Sequence, residues 1–275
     1  HRALLQAAEG LPGASVLAEG GQGLGTARNR GLAAARGRLV AVLDAGDSYL
    51  PGTLWLWTEA MLRSGADLGL SRFAIGGPKG KAHGGCHDGR DPTGAPLAPP
   101  PDEPLDRIAL PPVRLPPERA LRLHSLPSAQ ILRRDFVAEA RLTFAEEPLG
   151  AWAFTLRAAL AAGPVQILPW AGAVQSVSDD SRRLWRTPVP APELRAALER
   201  LAPVLDPVLP RQHWLVPLLA RALWEKLNFA AFDSEADSAA WQDAARATVA
   251  DLSLQGLTLD PYVGPRIRGL FPPTG

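Results

Sequence analysis

The chain has 275 residues, 46% of them hydrophobic, and a formal net charge of +1. That length and apolar content can bury a sizeable core. A charge so close to zero excludes a general attraction to nucleic acid or to an anionic membrane surface. The single cysteine, Cys86, excludes a disulfide framework and points to a reducing compartment. No stretch has the pattern of a signal peptide, and no apolar run is long enough to cross a bilayer without interruption. The expected location is therefore the cytoplasm, with the inner face of the membrane as the alternative. The sequence opens at His1, and Met61 is its one methionine. The expectation from this is a piece of a longer polypeptide.

Residues 1–10 read as a short helix with Leu4, Leu5 and Ala8 on one face, ended by Gly10. Ala14 to Ala18 reads as a short apolar strand, and Glu19 to Gly25 as a glycine-rich turn. Thr26 to Ala35 is an alanine-rich helical stretch stopped by Gly37. Leu39-Val40-Ala41-Val42-Leu43 is a continuous apolar run of strand length, the pattern of a strand buried on both faces. It leads directly into Asp44-Ala45-Gly46-Asp47. Pro51 stands where a helix would begin, and Thr53 to Ser64 reads as that helix. Asp67 to Ile75 is the next candidate strand. This alternation predicts an α/β domain with a mostly parallel sheet flanked by helices, in which ligands sit beyond the carboxyl ends of the strands.

Residues 76–117 are dense in glycine and proline and read as an irregular excursion over the surface. Within it, His83 to Asp88 has no structural zinc spacing and reads as a polar loop. Leu126 to Phe136 reads as a strand or turn entering a short helix, and Ala151 to Ala162 as a helix. Val165 to Trp170 and Ala173 to Val177 are candidate strands. Glu193 to Leu205, Trp214 to Phe229 and Ser238 to Leu252 show apolar residues at helical spacing. The organisation expected is thus a sheet domain over 1–190 and a helical appendage over 191–275. The stripe Trp214, Leu218, Leu219, Leu223, Leu227 is read as core rather than as a membrane anchor.

The segment from Gly25 through Ala27-Arg28-Asn29-Arg30-Gly31, Ala34-Ala35, Gly37 and Leu43-Asp44-Ala45-Gly46-Asp47 to Pro51 resembles the family 2 glycosyltransferases. That family shows glycine, then Ala-Arg-Asn-any-Gly, an alanine-rich helix, and a strand ending in Leu-Asp-any-Asp-Asp with a proline after it. Leu132-Arg133-Arg134-Asp135-Phe136 and Leu142-Thr143-Phe144 are similar to later family segments. The resemblance implies a glycosyltransferase A fold, here without its first strand-helix units. It also implies transfer of a sugar, with inversion, from a nucleoside-diphosphate sugar to an acceptor hydroxyl. The order of segments looks like the transferase modules of bacterial cell-surface polymer enzymes, so a carbohydrate or polymer precursor is the implied acceptor.

The implied donor-binding residues are Arg28, Asn29, Asp44 and Asp47, with Asp47 on a Mg2+ or Mn2+ ion. Such an ion offsets the charge that grows on the leaving diphosphate and takes hard oxygen ligands. Two departures bear on activity. Gly46 stands where the family has its middle acid. Gly150 and Ala151 stand where the family has a Glu-Asp pair whose aspartate is the general base. The nearest carboxylates are Glu146 and Glu147. Either the loop has shifted and Glu147 is the base, or the base is lost and the chain is an inactive module serving binding or assembly within a larger protein. A dinucleotide-binding domain is disfavoured, because the glycines at 21, 23 and 25 have the wrong spacing for that fingerprint.

Overall fold

The computed structural model describes residues 11–17, 21–75, 82–83, 111–124, 126–146, 149–176, 188–254 and 265–271. The first elements are helix α1 (Leu24–Ala34), strand β1 (Leu39–Ala41), strand β2 (Ser48–Tyr49), helix α2 (Thr53–Ser64), strand β3 (Leu68–Ile75) and strand β4 (Ala82–His83). After the excursion come helix α3 (Pro117–Ala120), a 3-10 turn (Pro127–Ala129), strand β5 (Gln130–Arg133), helix α4 (Arg134–Glu139), helix α5 (Gly150–Ala161) and strand β6 (Val165–Gln175). The C-terminal part holds helices α6 (Ala191–Glu199), α7 (Ala202–Leu205), α8 (Arg211–Phe229), α9 (Glu235–Val249) and α10 (Pro265–Arg268).

The strands form one sheet in the order β1-β5-β3-β6-β2, with β4 paired to β3. Side chains alternate between its faces, as the two-residue period of a strand requires. Leu68, Leu70, Leu132 and Val165 point to one face and pack with Phe154, Ala158 and Ala159 of α5. Ile131 and Leu168 point to the other and pack with Trp57 and Met61 of α2. The result is a three-layer α/β/α arrangement, so the expected α/β class holds.

The direction of the strands departs from the expectation. Among the described residues β3 and β6 are parallel, whereas β1–β5, β3–β5, β2–β6 and β3–β4 are antiparallel. A continuous apolar run signals burial on both faces, and burial carries no information on direction. The two strands expected at 165–177 are one, β6. Its register against β3 jumps from Ser71↔Leu168 to Arg72↔Ala171. Pro169 and Trp170 fall in that jump, and a bulge is where a proline without an N–H is tolerated in a strand. Residues 14–17 form no strand, and Val16 and Leu17 are exposed. The predicted helix over 1–10 and nearly all of 76–110 lie outside the described residues.

The appendage is fused to the sheet layer by a shared core. Leu194 and Leu198 of α6, Trp214, Leu218, Leu219 and Leu223 of α8, and Trp241 of α9 cluster with Leu121, Trp152 and Leu156. The α8 stripe is therefore core, as expected. Among the described residues no helix is long and apolar enough to cross a membrane.

Candidate active site

The turn after β1 carries the two aspartates. The Asp47 N–H donates to the Asp44 carbonyl at 3.0 Å, closing a four-residue turn. Gly46 occupies its third position at φ +93°. Only glycine adopts that backbone without strain. The site thus has a conformational reason for the missing acid.

Arg28 reaches this turn from α1. Its Nε donates to Asp44 Oδ1 at 3.1 Å and its Nη2 to Oδ2 at 2.7 Å, a two-pronged pair. The arginine side chain is 8% exposed and the aspartate 31%. The guanidinium also lies 5.1 Å from the centre of the Phe144 ring. Asp44 is therefore fixed in direction, with its outer edge open to a ligand.

Asp47 is bound differently. Its Oδ2 accepts from the Ser128 hydroxyl at 3.0 Å and its Oδ1 from the Ser176 N–H at 3.0 Å. Partial burial raises its pKa above the usual carboxylate value, against the lowering effect of those two donors, and the charge of Asp44 raises it further. Behind the pair, Tyr49 donates to the Val42 carbonyl at 3.0 Å. Burial first, then the charges of Asp47 and Asp44, push its phenol up to about 12.

This donor set suits one mode of cation binding. The described residues contain no cluster of three His, Cys, Asp or Glu side chains able to cage a metal. Asp47 is a half-buried carboxylate whose negative charge burial disfavours. Magnesium and manganese are commonly held by one or two carboxylates completed by substrate phosphates. Asp47 fits that role together with a diphosphate, and does not fit a cage built by protein alone.

Both ends of the Asn29 amide are engaged by the Phe144 backbone. Its Nδ2 donates to the Phe144 carbonyl at 2.8 Å, and its Oδ1 accepts from the Phe144 N–H at 2.7 Å. It pins the segment before α5 to α1. Glu146 makes the same connection one turn earlier. Its Oε1 accepts from the Thr26 N–H at 2.6 Å and from the Thr26 hydroxyl at 2.7 Å, and its Oε2 from the Gly25 N–H at 3.0 Å. The Thr26 hydroxyl foremost, then the Gly25 N–H, hold its pKa below the usual glutamate value. A carboxylate so engaged is a poor proton acceptor. Glu147 lies outside the described residues. Gly150 and Ala151 open α5, which has no acidic residue in its first turn.

Ser128 and Ser176 were not legible as site residues, being ordinary serines distant in sequence; Glu146 was legible only as a carboxylate near the missing base, not as a partner of Gly25 and Thr26. His124 packs edge-on to Phe73 at 5.2 Å, and Phe73 clusters with Leu126, Ala129 and Ala173.

A mixed sheet between helical layers, with an Arg28-braced aspartate turn at a strand end, is the architecture of the glycosyltransferase A fold. Residues 2–84 match the family described as glycosyl transferase family 2, and the expected resemblance to that family is borne out. The chain is similar in structure to Staphylococcus aureus TarS 1–349 in complex with UDP-GlcNAc. The TM-score is 0.58 at 18% identity, over 98% of this chain and 71% of that one. TarS 1–349 in a second crystal structure gives a TM-score of 0.50 at 16% identity, over 93% of this chain and 65% of that one. No curated protein matches the chain in sequence.

Proposed function

We propose that the chain is a glycosyltransferase module that moves a sugar from a nucleoside-diphosphate sugar to an acceptor hydroxyl, with inversion, in bacterial cell-surface polymer synthesis. The observation that carries this reading is the turn Asp44–Asp47, held by Arg28 at the end of β1 within a glycosyltransferase A fold. The fold and family match support the class, and the UDP-GlcNAc held by the similar TarS structure supports a uridine diphosphate sugar as donor.

In this reading Asp44 accepts hydrogen bonds from hydroxyls of the donor's ribose or sugar, and Arg28 keeps its carboxylate aimed. Asp47 faces the diphosphate and, with its oxygens, would hold a divalent cation that offsets charge on the leaving group. The acceptor oxygen forms its bond to the anomeric carbon as the bond from that carbon to the diphosphate breaks. Attack from the opposite side inverts the centre. The hydroxyl proton passes to Glu147, a contribution of about 10²–10⁴ in rate for a well-placed base.

Calorimetry with UDP and Mn2+ tests the donor site. Binding that weakens at least about tenfold in Asp47→Ala, a loss of about 1.4 kcal/mol, supports the assignment. No binding to the unaltered chain sinks it. A second reading, an inactive module of the same fold, is favoured by Gly150 and Ala151 at the start of α5. Binding of UDP-GlcNAc with no release of UDP, in the presence of candidate acceptors, would decide for it.

A further inference from the structure

Three stretches distant in sequence converge on Asp47, and the directions of the strands bring them there. β1 runs antiparallel to β5, so the residues before β5 lie beside those after β1. Asp47 immediately precedes β2, Ser176 immediately follows β6, and these two strands pair with Ser48 opposite Val174. The Asp47 carboxylate is thereby held from two sides, by the Ser128 hydroxyl on Oδ2 and by the Ser176 N–H on Oδ1. An ionised carboxylate offers about four acceptor positions. With one donor on each oxygen, each keeps a position for a ligand.

Ser128 is 0% exposed. It is the middle residue of the 3-10 turn Pro127–Ala129. Its neighbours Leu126 and Ala129 pack with Phe73 and Ala173. A hydroxyl buried in apolar surroundings is costly unless it is bonded, and Asp47 is the partner it has.

The turn is staked in place by buried polar side chains from three elements. Ser71 of β3 donates from Oγ to the Ala129 carbonyl at 3.2 Å. Gln130 of β5 donates from Nε2 to the Leu126 carbonyl at 3.3 Å and to Thr155 Oγ1 of α5 at 2.7 Å. Ser71, Ser128, Gln130 and Thr155 are four of the seven buried polar side chains among the described residues. Such a concentration adds nothing to apolar packing. Its common effect is to fix the turn that carries Ser128.

We propose that Ser128 is a positioning residue: with Ser176 it seats the Asp47 carboxylate in the direction in which that group meets the cation and diphosphate of a bound donor. The assignment rests on the donor-site reading of Asp47. Alanine at 128 would fill nearly the same space and keep the turn, but Asp47 would be held by Ser176 alone. A partner that orients a metal ligand without touching the metal typically contributes about 10–100-fold in metal affinity.

The test uses Ser128→Ala, Asp47→Ala and the double variant. Hydrogen exchange at the Ser176 amide reads the seat of Asp47 with no ligand present. Calorimetry with UDP, with and without Mn2+, reads the consequence. In Ser128→Ala, exchange at Ser176 is expected to be faster by about fivefold. UDP binding should weaken by about tenfold with Mn2+ and stay within about twofold without it. In the Asp47→Ala background, removing the Ser128 hydroxyl should change UDP affinity by less than about twofold, because a residue that acts through Asp47 has nothing left to act on. Unchanged exchange at Ser176 overturns the seat. A loss of UDP binding that is the same without Mn2+, or that adds in full to the loss in Asp47→Ala, overturns the positioning role, since Ser128 would then act on the donor or on the fold directly. An unaltered chain that binds no UDP under either condition overturns the donor-site reading, while the exchange measurement still decides the seat.

Discussion

At the scale of single residues, Gly46 matters most. The family's pattern suggests that an acid there would restore a metal ligand. The turn says otherwise, because φ is +93° at that position. Space is not the obstacle, since an added Cβ would meet Ser176 only at ordinary contact distances of 3.6 and 3.8 Å. The obstacle is backbone strain. Gly46→Asp is expected to lower stability by about 1–2 kcal/mol, measured by denaturant unfolding. It is also expected to raise Mn2+ affinity less than a second carboxylate normally would, because the strained turn must rearrange to aim it.

Between elements, the seating of α2 on β6 places the aspartate turn. A Cβ on Gly172 would run into the Trp57 indole, so the helix lies directly against the strand there. The Gly172 carbonyl accepts from the Thr53 hydroxyl at 3.0 Å and from the Leu50 N–H at 3.0 Å. Tyr49 packs edge-on to Trp57 at 5.4 Å and holds the Val42 carbonyl just before Asp44. Moving α2 therefore moves the turn. Gly172→Ala should destabilise by about 1–3 kcal/mol through overpacking. It should also weaken UDP binding, although residue 172 contributes no side chain to the site. Unfolding curves and calorimetry on the same variant would show both effects or dissociate them.

Across the whole molecule, the helical appendage and the sheet layer share apolar surface. Arg221 of α8 lies over the Trp152 ring at 4.0 Å and donates to the Leu123 carbonyl at 2.9 Å. Trp152 and Leu156 of α5 are 5% and 4% exposed beneath the appendage helices. We propose that residues 1–190 and 191–275 are separate in sequence pattern but not in stability. A chain ending at residue 190 would expose Leu121, Trp152 and Leu156. It should bind a dye specific for exposed apolar surface and lose its cooperative thermal transition. Retention of a sharp transition would show the sheet domain to be independent.

The sequence by itself determined most of the element types and carried the resemblance to the family. Hydrophobic period, alanine content and glycine or proline punctuation are local properties, and they placed α1, α2, β3, α5 and α8 within a few residues. They also placed Asp44 and Asp47 at a strand end. Strand direction lay beyond them, because a buried strand has the same apolar pattern whichever way it runs. The division of labour among the polar residues was also hidden. Arg28 and Asn29 are adjacent in the motif and read alike, yet the 100° or so between successive helical residues sends one to Asp44 and the other to Phe144. Glu146 becomes the cap of α1 only because Phe144 and Ala145 bring it across 120 residues of chain to Thr26. Only the tertiary structure decides such long-range partners, because hydrogen bonds depend on distance in space and the sequence records only order along the chain.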